Sequence, residues 1–180
     1  GNFYGIYDPN YLKPSASQVG FMWRTMYQII GKANEIISAA EKLEDTPSLR
    51  VTVAEAKCFR AQSYFLLYRT FDRVWLNVLP TTPDNVNDHA ASEKEVFDLI
   101  YKDLDYAITN LDWVPDEAGR FNQAAARHIK AKAALWLKDW DTTLEQVDEI
   151  EKSGQFDLIA LNEIFNAGDL NHKEALMVQQ

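Results

Sequence analysis

The fold is decided by the stretch Ala54-Glu-Ala-Lys-Cys-Phe-Arg-Ala-Gln-Ser-Tyr-Phe-Leu-Leu-Tyr-Arg-Thr-Phe71. Its apolar residues recur at steps of three and four, which places them in two adjacent rows on one side of a helix. The first row is Ala54, Cys58, Ala61, Phe65 and Tyr68, and the second is Tyr64, Leu67 and Phe71. Small side chains fill the first half and large aromatic ones the second. Because so wide an apolar arc needs partners on more than one side, the stretch predicts a central helix.

A weaker copy of the pattern follows later in the chain, with an offset of 70 residues. The corresponding pairs are Ala56 and Ala126, Arg60 and Lys130, Ala61 and Ala131, Phe65 and Leu135, and Leu67 and Leu137. This offset is close to two units of the roughly 34-residue tetratricopeptide repeat, a helix-turn-helix unit. The sequence therefore predicts an all-α, tetratricopeptide-like scaffold.

About five principal helices are predicted, joined by turns short enough to make neighbours antiparallel. The first begins at the capping box Ser15–Gln18 and ends near Glu44, and the central helix runs from about Ser48 to Phe71. The others follow the capping box Ser92–Glu95, extend from Asn122 to about Lys138, and cover Thr142 to Lys152 before Gly154. A short helix near Ile164 and an extended end at Ala175 to Val178 complete the prediction, and residues 1–180 form a single domain.

Charge and composition exclude several classes of protein. A net charge of −9 repels phosphate backbones, which argues against a nucleic-acid partner. No uncharged apolar run approaches the roughly 18 residues that span a bilayer, so we expect no transmembrane segment. The one cysteine, Cys58, lies in the small-residue row and cannot form a disulfide within the chain.

No pattern in the sequence predicts catalysis, a metal site or a cofactor. Glycine-rich phosphate loops, zinc-spaced ligands and nucleophile elbows are all missing from the sequence. The histidines His89, His128 and His172 have no obvious partners, and we interpret them as solvated or hydrogen-bonded. The carboxylate groupings Asp103/Asp105 and Glu145/Asp148/Glu149 are interpreted as solvated helix faces. We therefore expect a protein that is not an enzyme.

Two of the five tryptophans stand apart. Trp23, Trp136 and Trp140 keep helical spacing and are predicted to lie in the core or between helices. Trp75 and Trp113 instead begin loops that are rich in amide and carboxylate side chains. A pyranose offers an apolar face for stacking and hydroxyls for hydrogen bonds, so this combination suits a sugar. The alternative is that each ring covers the end of a helix pair. The candidate ligand-binding residues are Trp75, Asn77, Asp84, Asn85, Asn87 and Trp113.

The order of motifs resembles the SusD/RagB family of outer-membrane nutrient-binding lipoproteins of Bacteroidetes. The resemblance is carried by Trp23-x3-Tyr27-x5-Ala33-Asn34-Glu35-Ile36-Ile37, by Ala54-Glu-Ala-Lys-x2-Arg60-Ala61-x2-Tyr64-Phe65-x-Leu67, and by Asp103-Leu104-x2-Ala107-x3-Leu111. It continues through Arg120-Phe-Asn122, Asp139-Trp140 and Ser153-Gly154-Gln-Phe156-x-Leu158. The chain is similar to the N-terminal part of such proteins. Where the family commonly has Phe-Gly-x-Val-Pro after the central helix, this chain reads Phe71-Asp72-Arg73-Val74-Trp75.

The resemblance implies a lipid-anchored, surface-exposed protein that captures oligosaccharides or polysaccharides and passes them to a TonB-dependent outer-membrane transporter. It also implies that loops hold the glycan while the scaffold contacts the transporter. A tetratricopeptide-like scaffold that binds only protein partners fits the helices equally well, but it leaves the composition of the Trp75 loop unexplained.

Overall fold

The computed structural model describes Lys13 and residues 16–85, 90–160 and 173–177. Five helices occupy these residues: α1 (Ser17–Ala40), α2 (Pro47–Phe71), α3 (Glu93–Asn110), α4 (Gln123–Leu137) and α5 (Trp140–Lys152). The described ranges contain no strand, and their β-bridge is an isolated pairing of Trp75 with Ala90. The prediction of an all-α scaffold with five principal helices is confirmed.

Capping side chains set most of the helix starts. Thr46 accepts a hydrogen bond from the backbone N–H of Leu49, and Pro47 occupies the first turn of α2. The predicted capping box of α3 is present, with Ser92 and Glu95 satisfying each other's backbone N–H groups. Asn122 caps α4 as expected, through the N–H of Ala125.

The remaining boundaries differ from the sequence prediction. Helix α1 follows Ala16 without a side-chain cap and ends at Ala40 rather than near Glu44, while Ser15 lies outside the described residues. Helix α5 starts two residues before Thr142 because Asp139 caps it by accepting from the Thr142 N–H. Gly154 has a φ of +64°, the left-handed conformation predicted for it.

Helix α2 is central, as its wide apolar arc predicts. It packs against α1 on one side and α3 on another, while α4 packs on α3 and α5 on α4. The small residues of its first half are buried, which allows close approach, and the aromatic side chains of Tyr64, Phe65 and Tyr68 are buried in its second half. Two of these rings meet Phe97 of α3 edge to face. The buried side of α2 is therefore shared between two neighbouring helices, while Phe59 and Gln62 lie on its exposed side.

A buried ion triad crosses this core. Asp103 of α3 is completely buried and accepts two hydrogen bonds from Arg60 of α2, at 2.7 and 2.8 Å. Lys57, one turn earlier on α2, donates to the same carboxylate at 2.9 Å. The interpretation of Asp103 as part of a solvated face is wrong, because cations on another helix compensate its charge. Asp105 is exposed, as expected, and pairs with Lys130.

Two tryptophans predicted to lie in the core are largely exposed. Trp136 and Trp140 are 46% and 57% exposed. The Arg69 guanidinium lies 5.8 Å from the Trp136 ring centre, so part of one side of that ring is covered by a cation instead of by a helix. The residues predicted to form a helix near Ile164 lie outside the described parts of the chain. Residues 175–177, predicted to be extended, contain no strand.

Helix α2 ends in an unusual conformation. Asp72 has φ 63° and ψ −49°, a backbone geometry that L-residues rarely adopt. Its N–H still bonds to the carbonyl of Tyr68, and the chain then reverses into the loop that carries Trp75. The turn therefore stores strain at the entrance to the loop.

Candidate ligand-binding site

Residues 74–80 form a loop, called here the Trp75 loop, that leaves α2 and lies across α1 and α2. Val74 anchors its start, because its side chain is completely buried and its carbonyl accepts the N–H of Ala91 at 2.9 Å. The indole of Trp75 is 43% exposed. The first residue of the loop thus belongs to the core, while the second presents an aromatic ring to solvent.

Two tyrosine hydroxyls hold the backbone of this loop. The hydroxyl of Tyr27 on α1 donates to the carbonyl of Trp75 at 3.0 Å and accepts its N–H at 2.8 Å. The hydroxyl of Tyr64 on α2 makes the same pair of bonds to Asn77, both at 2.8 Å. Burial raises the pKa of both tyrosines above the ordinary value, so both stay protonated and can donate at neutral pH.

Asn34 on α1 makes a third attachment to the loop. Its side-chain nitrogen donates to the carbonyls of Asn77 and Leu79, each at 3.0 Å. Its side-chain oxygen accepts from Nη1 of Arg60 at 2.7 Å, which connects it to the buried ion triad. The loop has no regular secondary structure, and these hydrogen bonds attach its backbone to α1 and α2 instead.

The Trp75 ring is supported from behind by other aromatic rings. Trp23 of α1 lies edge-on to it, with 6.1 Å between ring centres, and is itself 4.9 Å from both Tyr27 and Phe71. Such edge-to-face contacts fix the plane of a ring. The exposed part of Trp75 is thus a preformed apolar surface rather than a freely rotating side chain.

A small cavity of about 190 Å³ opens beside this surface. Gly31 of α1 contributes to its wall, and a Cβ atom added there would meet no atom within 4 Å. The cavity is smaller than the roughly 300 Å³ at which small-molecule sites begin, which suits one sugar ring or less. Its lining residues are Tyr27, Ile30, Gly31, Asn34, Trp75, Asn77, Thr81 and Asn85.

Three of the predicted ligand-binding residues meet at this cavity: Trp75, Asn77 and Asn85. The two amides are also engaged in the local chain. The Asn77 side-chain oxygen accepts the N–H of Leu79, and Asn85 accepts from the N–H of Thr82 and donates to the carbonyl of Pro80. Both amides therefore shape the cavity wall.

The other predicted residues lie elsewhere. Asp84 is exposed and does not line this cavity, and Asn87 lies outside the described residues. Trp113 borders a separate cleft of about 200 Å³ that also involves Arg120 and Phe156. The Arg127 guanidinium lies 5.6 Å from its ring centre. The structure thus separates Trp113 from the Trp75 group.

The sequence prediction missed five of the eight lining residues: Tyr27, Ile30, Gly31, Asn34 and Thr81. Tyr27 and Asn34 both keep the helical spacing of α1, and that spacing by itself predicts no role in binding. A polar Asn on an otherwise apolar stripe is the signal that could have identified a buried hydrogen-bonding role. Gly31 had a weaker signal, a glycine within a long helix.

The described residues contain no group of three or more His, Cys, Asp or Glu side chains arranged to hold a metal ion. Cys58 is completely buried, and this burial raises the pKa of its thiol, which keeps it uncharged and a poor nucleophile. Among the helices described, none is long and apolar enough to cross a membrane.

The fold defines a helical-repeat domain with an aromatic loop at one edge, and comparison with known proteins identifies its family. Residues 5–135 match a SusD-like family that is described as starch-binding and associated with the outer membrane. The match covers most of the chain, and the protein belongs to this SusD-like family.

Individual relatives agree with this assignment. A SusD-like protein of Bacteroides ovatus is 28% identical over 88% of this chain and 32% of its own length. A surface glycan-binding protein A from Bacteroides fluxus is 25% identical, with a TM-score of 0.73 over 83% of this chain and 33% of that protein. A structure solved with a xylogluco-oligosaccharide is 23% identical, with a TM-score of 0.84 over 99% of this chain and 38% of that one. The chain spans about a third of the length of the relatives it matches.

Proposed function

We propose that residues 1–180 form the N-terminal helical domain of a longer, non-enzymatic protein that captures glycans at the outer surface of the cell. In this proposal the protein is lipid-anchored to the outer membrane and passes its ligand to a TonB-dependent transporter. Membership of the SusD-like family supports the proposal. Two relatives with a similar fold are described as glycan-binding or were solved with an oligosaccharide.

The observation that carries the proposal is the half-exposed ring of Trp75 beside a cavity with amide walls. The ring offers the apolar surface on which a pyranose stacks. Asn77, Asn85 and Thr81 place amide and hydroxyl groups around it, and the donor and acceptor positions that their bonds within the chain leave over can pair with sugar hydroxyls. In this proposal the glycan has further contacts with Asp84, with Asn87 and, in a separate cleft, with Trp113.

This chain supplies only part of a glycan site. A stacking contact contributes about 0.5–1.5 kcal/mol beyond the area it buries, whereas the loss of translational and rotational freedom on association costs more than that. A cavity of about 190 Å³ cannot enclose several sugar rings. We therefore assign the rest of the contacts to the part of the protein that this chain does not include.

Calorimetric titration with oligosaccharides selected on a carbohydrate array tests the proposal. The complete polypeptide is expected to bind its glycan, to lose affinity on Trp75→Ala, and to be unaffected by Trp136→Ala, which removes a similarly exposed ring that does not line the cavity. The 180-residue chain alone is expected to bind weakly or undetectably. Glycan binding that is indifferent to Trp75→Ala would contradict the assignment of the site.

A scaffold that binds only protein partners is the second candidate, and one observation favours it. The outer sides of α4 and α5 expose a set of large apolar residues that no described helix covers: Leu135, Trp136, Trp140, Leu144 and Val147. Exposed apolar groups of this kind are typical of protein interfaces. If no glycan on the array binds the complete polypeptide, while Trp140→Ala weakens its association with the transporter, this second function is favoured.

A further inference from the structure

Asn34 is a polar residue in a position where packing alone would favour an apolar one. It lies in the middle of α1 with only 1% of its surface exposed. A buried amide is costly unless its hydrogen bonds are made. All three of its side-chain bonds leave α1: one comes from Arg60, and two go to carbonyls of the Trp75 loop.

Arg60 is in turn held rigidly. Two of its nitrogens bond to the two oxygens of Asp103, a bidentate geometry that fixes the plane of the guanidinium. Asp103 is completely buried in α3. The bonds therefore run without a break from α3 through α2 and α1 to the backbone of the loop.

We propose that Asn34 is a positioning residue for the Trp75 loop, fixing the carbonyls of Asn77 and Leu79 against the buried ion triad so that Trp75 is presented in one orientation. The hydrogen bonds from Asn34 to the loop are contacts within this chain and do not depend on the proposed function. Their importance for sugar capture rests on the proposed function. A loop ordered before the ligand arrives loses less conformational freedom on binding, which raises affinity.

The substitution Asn34→Asp separates the two ends of this connection. It keeps an oxygen for Arg60 but removes the nitrogen that donates to the loop, and it places a carboxylate beside two carbonyl oxygens. The neighbouring ion triad contains two cations and one anion, so the new negative charge is compensated on the helix side. The two bonds from residue 34 to the loop are lost while its bond to Arg60 remains, and Arg60 keeps its own bond to the carbonyl of Val78.

A matched control lies at the start of α4. Asn122 is also buried, accepts a bond through its side-chain oxygen from the N–H of Ala125, and donates through its nitrogen to the carbonyl of Leu176. Asn122→Asp is therefore the same chemical change in a similar setting without a bond to the Trp75 loop. Asn34→Leu, which removes all three bonds at similar volume, is the second test variant.

Amide hydrogen exchange of the 180-residue chain measures the result without any ligand. In Asn34→Asp we expect exchange in residues 75–79 to accelerate about tenfold or more, as the loss of two hydrogen bonds predicts, with exchange in α2 and α3 unchanged. Asn122→Asp should leave residues 75–79 as in the wild type. Unchanged exchange in residues 75–79 of Asn34→Asp overturns the proposal. If Asn34→Asp fails to fold, the same exchange measurement is made on Asn34→Leu. Faster exchange confined to residues 75–79 of Asn34→Leu supports the proposal, and faster exchange spread evenly over the whole chain overturns it.

Glycan titration of the complete polypeptide separates this inference from the proposed function. If Trp75→Ala weakens binding and Asn34→Asp weakens it too, the positioning role is supported. If Trp75→Ala weakens binding while Asn34→Asp does not, positioning by Asn34 is overturned. If neither changes binding, the proposed function fails, and the exchange experiment still decides whether Asn34 holds the loop.

Discussion

The hydroxyl of Tyr64 makes two hydrogen bonds to one residue, donating to the carbonyl of Asn77 and accepting its N–H, both at 2.8 Å. A side chain of α2 thus replaces the strand partner that this piece of backbone would otherwise need. The arrangement ties residues that are 13 positions apart and leaves the loop free of regular secondary structure.

Tyr64→Phe is expected to destabilise the chain by about 1–3 kcal/mol, because it leaves a part-buried N–H without its partner. The ring and its packing are retained, so any loss of stability is due to the hydroxyl group. Urea unfolding at neutral pH measures the change in the free energy of unfolding. Tyr106→Phe, which keeps the ring beside Lys57, is the control. Equal free energies of unfolding for the Tyr64→Phe and wild-type chains would mean that water replaces the hydroxyl.

Asp103→Asn is expected to cost about 3–5 kcal/mol, since it leaves Arg60 and Lys57 without their buried counter-charge. The control is Asp98→Asn on the same helix. It removes an exposed carboxylate that pairs with the exposed Lys94, and its cost should stay below about 1 kcal/mol. Denaturant unfolding of both variants gives the difference. If both variants lose a similar free energy of unfolding, burial of the Asp103 carboxylate does not increase its contribution to stability.

Ala61→Leu should destabilise the chain by about 1–3 kcal/mol. Ala61 is completely buried where the small and large halves of α2 meet, so the larger side chain forces neighbouring helices apart. Gln62→Leu adds a leucine at the next position, which is exposed, and should change stability little. A thermal melt of Ala61→Leu that matches the wild type would contradict close packing on this face.

Asp72→Gly should stabilise the chain by about 1 kcal/mol, because glycine adopts positive φ without the steric cost that Asp72 bears at φ 63°. Arg73→Gly, at a neighbouring position without positive φ, should instead lower stability through added freedom of the unfolded chain. Chemical unfolding of both variants should show shifts of opposite sign.

Gly31→Ala is expected to raise stability by about 1 kcal/mol and to weaken glycan binding by the complete polypeptide. Alanine favours the helix, and its methyl group enters the open cavity without a clash. Gly20→Ala in the same helix, outside the cavity lining, should leave binding unchanged. If Gly31→Ala gains stability with full affinity, the glycan does not enter this cavity.

Local signals in the sequence were enough to predict the helices. Capping at Ser92 and Asn122 follows from residue types a few positions apart, and the structure contains these caps. Trp136 and Trp140 were placed wrongly because periodicity shows which residues share a face, not whether another helix covers it. The sequence prediction for Asp103 failed for a related reason. Its partners Lys57 and Arg60 lie more than 40 positions away on another helix.

The candidate site was predicted only in part. Trp75, Asn77 and Asn85 were found because a tryptophan among amides is a local pattern. Tyr27 and Asn34 were not, since their bonds to the loop join residues 43 to 48 positions apart. Such bonds depend on how α1 is rotated against α2, which one sequence does not specify.

The bonds from Tyr27 and Tyr64 end on main-chain atoms, which every residue type except proline possesses in full. A substitution at position 75 or 77 would therefore leave the bonds from Tyr27 and Tyr64 in place, while a change at Asn77 would also remove its side-chain bonds to the N–H of Leu79 and to Thr81. A larger, shorter or charged side chain would then project from a loop backbone held by the same tyrosine bonds. The scaffold is thus suited to being retuned from one ligand to another by substitution at these two positions, with the helices left as they are.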